Sequence, residues 1–366
     1  MDADAVIVSE APHKTLRALY GLIVEAPDPS NGADCLRLSP WSSPDLRAYA
    51  EANGPQAIFI RVDDCLVVKD KGTRHLEPVA FHHNHSQSTP GKPIYSNGAG
   101  PIEVRLQIGS RAYSYDHRLY LREKTVRQLN RRRPPEKRLR FRSKYRLTRE
   151  MLRTLKGQLP PGLPVYVLYD SWYASTKLLK FCRRQGWHVI CALKSNRLLN
   201  DKQLSEWNRD PKARVYLRGT LKKLPQEVCV FISKRHRGDK RPKYFLCTDL
   251  SLSAQKALST YQARWAIEVV NFYLKQALGL GDFRVQSYEA VEKWYAIVFL
   301  PLTYLQWRLQ QPEPAERFHN LADGVRTHRL EHARHLLTTA CEQAVQLGQV
   351  EPVLKRFIQP LPPEPP

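Results

Sequence analysis

Between Tyr261 and Lys275 the sequence YQARWAIEVVNFYLK places a phenol, a guanidinium, a carboxylate and an ammonium at Tyr261, Arg264, Glu268 and Lys275. On an ideal helix these offsets of 0, 3, 7 and 14 fall within about 60° of arc. One helix edge therefore carries an acid, two bases and a phenol. The plainest reading is an Arg264 to Glu268 pair at i, i+4, worth about 0.2–0.5 kcal/mol on an exposed face. The remaining positions (Trp265, Ile267, Val269, Val270, Phe272, Leu274) are apolar, so the spacing predicts a helix buried on most sides.

Other acids close apolar runs. AIFIRVDD, from Ala57, reads as a strand ending on Asp63 and Asp64. PVYVLY, from Pro164 to Tyr169, is a continuous apolar run of the kind found in a strand covered on both faces, and it ends on Asp170. A helix from Ala174 to Gln185 and a strand HVICALK follow, which makes a βαβ unit with Asp170 at the carboxyl edge, where open α/β sheets hold their sites. A turn signal at Asp63 and Asp64, or a helix cap at Asp170, is the bland alternative.

The spacing Tyr-x2-Arg-x3-Glu-x6-Lys resembles the signature of the DDE insertion-sequence transposases of the YREK group, the insertion sequence four family. DDCLVVKDKG resembles that family's first catalytic segment, with Cys65 in a Thr place, and Asp170 with Tyr173 resembles its second, Asp-x-x-Tyr/Phe. YDHRLYL resembles a family segment at the close of the third strand. The resemblance runs from about Asp63 to about Gln310. It implies an RNase H-like mixed sheet flanked by helices, a β-rich insertion between the second Asp and the Glu helix, and a helical C-terminal part.

By the same resemblance Asp64, Asp170 and Glu268 are the catalytic, metal-binding carboxylates, with Asp63 the neighbour of Asp64; a one-residue slip exchanges those two. Two Mg²⁺ (or Mn²⁺) ions are implied, since clustered acids repel one another without a cation and Mg²⁺ prefers oxygen ligands. Tyr261, Arg264 and Lys275 are implied to contact DNA, and Tyr244 in KYFLCTDL is the best match to an aromatic that stacks on a base in some relatives.

The totals agree with a polyanionic partner. The 366 residues carry a formal charge of +23, with 42% hydrophobic and 25% charged residues. Arg122 to Arg146 holds twelve Lys or Arg against two Glu, read as DNA-backbone contact that includes Arg131, Arg132 and Arg133. Phosphate contacts of this kind position DNA without reading its sequence. The most apolar run, Trp294 to Leu305, is too short to cross a bilayer and contains Pro301, read as a break between helices. Seven widely spaced cysteines without a C-x2-C pair point to a reducing cytoplasm, and the acidic N-terminus shows no secretory signal. His82, His83 and His85 form a weak metal motif.

The expected organisation is a short N-terminal helical region (1–50, shortened relative to the family), the first part of the catalytic domain (51–194), the insertion (195–253), the Glu-bearing and packing helices (254–310), and C-terminal helices with a proline-rich tail (311–366). The expected function is cut-and-paste DNA transposition by a bacterial, nucleoid-associated homodimer that binds transposon ends and target DNA, with no membrane partner. A non-catalytic DNA-binding derivative, or a metal-dependent nuclease of the same fold, is the alternative.

Overall fold

In the computed structural model the described residues are 57–84, 87–89, 91–109, 111–207, 216–233, 242–309 and 320–357. The expectations for residues 1–50, His85 and the proline-rich tail lie outside them. Among the described residues the strands are, in chain order, β1 (Ile58–Asp64), β2 (Val67–Val68), β3 (Ala80–His83), β4 (Tyr95–Ala99), β5 (Pro101–Ile108), β6 (Arg111–Leu119), β7 (Val165–Tyr169), β8 (His188–Leu193), β9 (Leu198–Leu199), β10 (Lys202–Gln203), β11 (Tyr216–Leu221), β12 (Leu224–Ile232) and β13 (Tyr244–Cys247). The described helices are α1 (Glu123–Asn130), α2 (Lys144–Lys156), α3 (Thr176–Arg184), α4 (Leu204–Trp207), α5 (Ala254–Gln262), α6 (Ala266–Gln276), α7 (Tyr288–Arg308), α8 (Leu321–Leu347) and α9 (Glu351–Phe357).

The chain divides into two compact units. One contains the described residues up to 66 and from 98 to 270, the other those of 67–97 and from 271 onward. The first is built on a ten-stranded sheet in the order β10-β9-β11-β12-β13-β8-β7-β1-β5-β6. Its β6-β5-β1-β7-β8 half is mixed: β1 runs antiparallel to β5 and parallel to β7, and β7 is parallel to β8. That is the RNase H-like arrangement. The insertion strands extend the same sheet, β13 pairing antiparallel with β8 and then with β12. The expected mixed sheet, flanking helices, inserted strands and helical C-terminal part are all present.

Strand alternation sorts the side chains of β1 between two cores. Ile58, Ile60 and Val62 pack with Leu147, Met151 and Leu155 of α2 and with Leu178 and Phe181 of α3. Phe59 belongs to the opposite face, where Tyr166 and Leu168 of β7 meet Ala257 and Tyr261 of α5. All five residues of β7 are buried, as a strand covered on both faces requires. Each fully buried Ile, Val or Leu contributes roughly 1.5–3 kcal/mol relative to exposure. At the end of β1, Gly100 permits close approach of the next strand, because a Cβ there would run into the Cys65 carbonyl.

Serine N-caps start α2, α3 and α5: Ser143, Ser175 and Ser253 each accept from the backbone three residues on.

In the second unit β2, β4 and β3 form a small sheet. Lys69 Nζ donates to the Gly281 and Phe283 carbonyls at 2.5 and 2.7 Å. The α7 core includes Trp294, Tyr295, Val298 and Leu302, all buried, so the apolar run is a core helix. Pro301, expected as a break, lies inside α7 without ending it. Proline forfeits one backbone bond, and the helix continues on its buried apolar side chains.

Candidate active site

The site lies where β1 and β7 end side by side. Their parallel register pairs Val62 with Tyr169, so Asp63 and Asp170 follow at the same level. Asp63 continues the Phe59 and Arg61 side of β1, which is the α5 side, whereas Asp64 continues the Val62 side. Two neighbouring acids therefore have different partners.

Asp63 Oδ2 accepts from Arg264 Nη1 at 3.0 Å, and Arg264 Nη2 donates to Glu268 Oε1 at 2.6 Å. Asp64 Oδ2 instead accepts from Lys144 Nζ at 2.5 Å, and its Oδ1 accepts from the Tyr173 hydroxyl at 2.9 Å. Asp170 Oδ1 accepts from the backbone of Trp172 and Tyr173 at 2.9 and 3.3 Å, so the turn after β7 holds its carboxylate in place. Arg264 stands on a 3-10 turn, Ala263–Trp265, between α5 and α6, with its guanidinium 5.6 Å from the centre of the Tyr261 ring.

The electrostatics are those of crowded acids. Burial pushes the Asp63 carboxyl up to about 7, the charges of Asp170 and Asp64 push the same way, and Arg264 opposes them. Burial likewise raises Asp170, against the backbone bonds from Tyr173 and Trp172, while Asp64 adds repulsion. Burial alone would lower Arg264, yet Tyr261, Asp63 and Glu268 together hold it above its ordinary value. Burial drives the Tyr261 phenol up to about 12, so it stays protonated.

This donor set suits a hard divalent cation, because it offers carboxylate oxygens whose mutual repulsion a cation would relieve. Among the described residues, however, no three His, Cys, Asp or Glu side chains are gathered closely enough to hold an ion as they stand. In this arrangement Arg264 supplies the neutralising charge between Asp63 and Glu268.

Other expected residues are placed as follows. Lys275 is exposed in the last turn of α6. Arg131 and Arg132 are exposed just after α1, with Arg133 half-buried beside them. Tyr244 is 5% exposed, packed in the α2/α3-side core and paired across strands with Leu193 and Ile232, so it presents no ring face to a base. His83 Nε2 lies 3.1 Å from Ser88 Oγ in the small sheet of the second unit. The helix at Tyr261–Lys275 is not buried on most sides: Ile267, Val270 and Leu274 face inward, while Trp265, Val269 and Phe272 are exposed at i, i+4 and i+7. Apolar composition alone did not separate these two stripes.

Lys144 and Trp172 are the site residues that the sequence did not single out. Lys144 sits at the end of the basic run, where its charge was counted toward a DNA surface. Its place at the start of α2, where α2 packs under β1, is a tertiary fact.

Acids thus end two adjacent strands of an RNase H-like mixed sheet, and a third acid, Glu268, is linked to Asp63 through Arg264. Residues 140–303, a little under half of the chain, match the family model of the transposase DDE domain. The matched stretch takes in Asp170, Tyr261, Arg264, Glu268 and Lys275 and begins after Asp63 and Asp64. No curated protein is similar to the chain in sequence. The match supports a DDE transposase, and with it DNA as the partner. No described helix is long and apolar enough to cross a membrane.

Proposed function

We propose that the protein is a cut-and-paste DNA transposase of the YREK-type insertion-sequence group. It cleaves phosphodiesters at the ends of a mobile element and joins the freed ends to target DNA, as a homodimer at the bacterial nucleoid. The observation that carries this reading is the Asp63–Arg264–Glu268 link beside Asp170, which gathers an acid from each of three distant segments.

Asp63, Asp170 and Glu268 are the groups we assign to hold Mg²⁺ or Mn²⁺. Asp63 takes the place given to Asp64 by the sequence resemblance, because Asp63 shares Arg264 with Glu268 and Asp64 is engaged by Lys144 and Tyr173. Bound there, a pair of divalent ions supplies activation of the attacking oxygen and stabilisation of the leaving one. In hydrolysis water oxygen bonds to phosphorus, the P–O3′ bond breaks, and a 3′-OH and a 5′-phosphate result. In joining, that 3′-oxygen bonds to a target phosphate and displaces the target's own 3′-oxygen. Arg264 grips a phosphate oxygen once DNA is present, and Lys275 is assigned a phosphate contact of its own.

The test is cleavage and joining of labelled DNA carrying the flanking inverted repeats, with Mg²⁺ or Mn²⁺, for the unaltered protein, Asp170→Ala and Glu268→Ala. Metal-dependent nicking lost in both variants, with DNA binding retained, and joined products from the unaltered protein are expected. Nicking without joining would make it a nuclease. Salt-sensitive binding without cutting would make it a DNA-binding derivative.

A further inference from the structure

We propose that the outer face of α2 and α3 receives the target duplex, with Lys177, Lys180 and Arg184 of α3 and Arg153 and Lys156 of α2 gripping its phosphates. The proposal rests on the transposase reading of the acid site. Lys177, Lys180 and Arg184 stand at i, i+3 and i+7, so they share one face of α3, and all three are exposed. Arg153 and Lys156 are exposed in the last turn of α2. The Arg153 guanidinium lies 5.7 Å from the centre of the Phe181 ring, which brings the α2 cations against α3.

This charge has no internal answer among the described residues. None of the five side chains forms an ion pair there, α3 has no acid, and Glu150, the one acid of α2, is held by Arg142 and Arg146. A cation in a last turn complements the helix dipole, which accounts for Arg153, Lys156 and Arg184. It does not account for Lys177, which stands in the first turn of α3, nor for Lys180, which meets a like charge at i−3 and another at i+4. A polyanion relieves that repulsion and gives up its counterions on binding. Contacts to phosphate hold a duplex without reading its sequence.

The place of this face selects the target rather than the cleaved end. α3 starts at its Ser175 cap, directly after the turn that holds Asp170. α2 and α3 cover the Ile60 and Val62 side of β1, whereas Arg264, bound to Asp63 and Glu268, comes from the α5 side. In joining, the entering and leaving oxygens lie in line on opposite sides of phosphorus. Two cationic sets on opposite faces of the sheet, with the acids at its edge, therefore fit two DNAs. Arg264 holds the cleaved end, and the face of α2 and α3 holds the duplex that the end enters.

The experiment uses the full chain with Mg²⁺, labelled end DNA both intact and already carrying a free 3′-OH, and an unlabelled target duplex titrated at several salt concentrations. Lys177→Gln/Lys180→Gln/Arg184→Gln is compared with the unaltered protein and with Lys177→Arg/Lys180→Arg/Arg184→Lys. The Gln variant is expected to bind and cleave the end as the unaltered protein does. It is expected to need about 10-fold more target for half-maximal joining, with the salt slope of that requirement flattened by up to about 3. The variant that keeps the charges is expected to join like the unaltered protein, which separates lost charge from lost folding. Equal target requirements for the Gln variant and the unaltered protein would overturn the proposal. So would an equal loss of end binding and joining, which would give this face to the end instead. If the unaltered protein neither cleaves nor joins, the transposase reading fails and the target face falls with it.

Discussion

Asp63 and Arg264 are 201 positions apart in sequence and 3.0 Å apart in space, and the same guanidinium reaches Glu268 at 2.6 Å. A single cation thus neutralises two acids from different segments. Arg264 is 13% exposed, so Arg264→Gln leaves Asp63 facing Asp170 with little water to screen it. Breaking a fully buried pair costs about 3–5 kcal/mol; with Glu268 37% exposed, about 1–3 kcal/mol is expected here. Millimolar Mg²⁺ should stabilise the variant more than the parent, since the ion takes over the missing charge. Denaturant unfolding with and without Mg²⁺ checks both, and an equal response to Mg²⁺ would sink the idea that Arg264 stands in for a cation.

The neighbours Asp63 and Asp64 should differ in their effects. Asp63→Asn is expected to lower cleavage by at least about 100-fold, since even an outer partner of a metal ligand is worth about 10- to 100-fold. Asp64→Asn loosens Lys144 and Tyr173 instead, and a smaller loss, on the order of 10-fold, is expected. Single-turnover cleavage of end-labelled DNA, with binding measured separately, decides between them. The reverse ranking would restore Asp64 as the first ligand.

Much of this site was legible because strand periodicity is local. The apolar runs leading to Asp63/Asp64 and to Asp170 are the two strands that lie side by side, whereas the single helix expected over Tyr261–Lys275 is divided by the 3-10 turn Ala263–Trp265 between α5 and α6. What was hidden depends on which face a residue takes. Asp63 and Asp64 are adjacent in sequence yet turn to opposite sides of β1, and only the packing of Ile60 and Val62 against α2 says which side is which. Tyr244 and Trp172 are both aromatic near sheet ends. Cross-strand pairing buries the first, and a turn after β7 lifts the second into solvent. The exposed stripe of Trp265, Val269 and Phe272 was unreadable for a different reason: those residues are as apolar as the buried Ile267, Val270 and Leu274 that alternate with them.

Two half-buried groups should pull the pH dependence of stability in opposite directions. Asp63 has a folded pKa raised to about 7, so the folded state binds its proton more readily than the unfolded chain does. Its contribution is fully present below about 4 and is lost as pH rises to about 7. His117 is lowered to about 4, by burial first and then by Arg118, so the folded state resists its proton. Stability from this group is present above about 6.5 and is lost as pH falls toward about 4. Across about pH 4 to 6.5 the two should partly cancel. Asp63→Asn should make stability fall more steeply with acid than in the parent, and His117→Gln should make it fall less steeply. Shifts on the order of 1–3 kcal/mol are expected in metal-free urea unfolding at pH 5 and pH 7.5. Parallel pH profiles for all three proteins would show that neither group is perturbed as described.

The basic surface makes a separate prediction, because it acts without the acids. Arg131 and Arg132 are exposed after α1, and Arg133 adjoins them. Each phosphate contact made by such a side chain releases counterions and contributes about 0.9 to the slope of log affinity against log salt. Replacing all three by Gln should therefore flatten that slope by up to about 3 and weaken binding equally for unrelated duplex sequences. At the exposed Arg131 and Arg132 folding should be little changed, since exposed substitutions usually stay within about 0.5 kcal/mol. Fluorescence anisotropy over a salt series, on two duplexes of different sequence, measures both quantities. An unchanged slope would move the DNA path away from this segment, whereas a loss confined to one duplex would mean that these arginines read bases rather than phosphates.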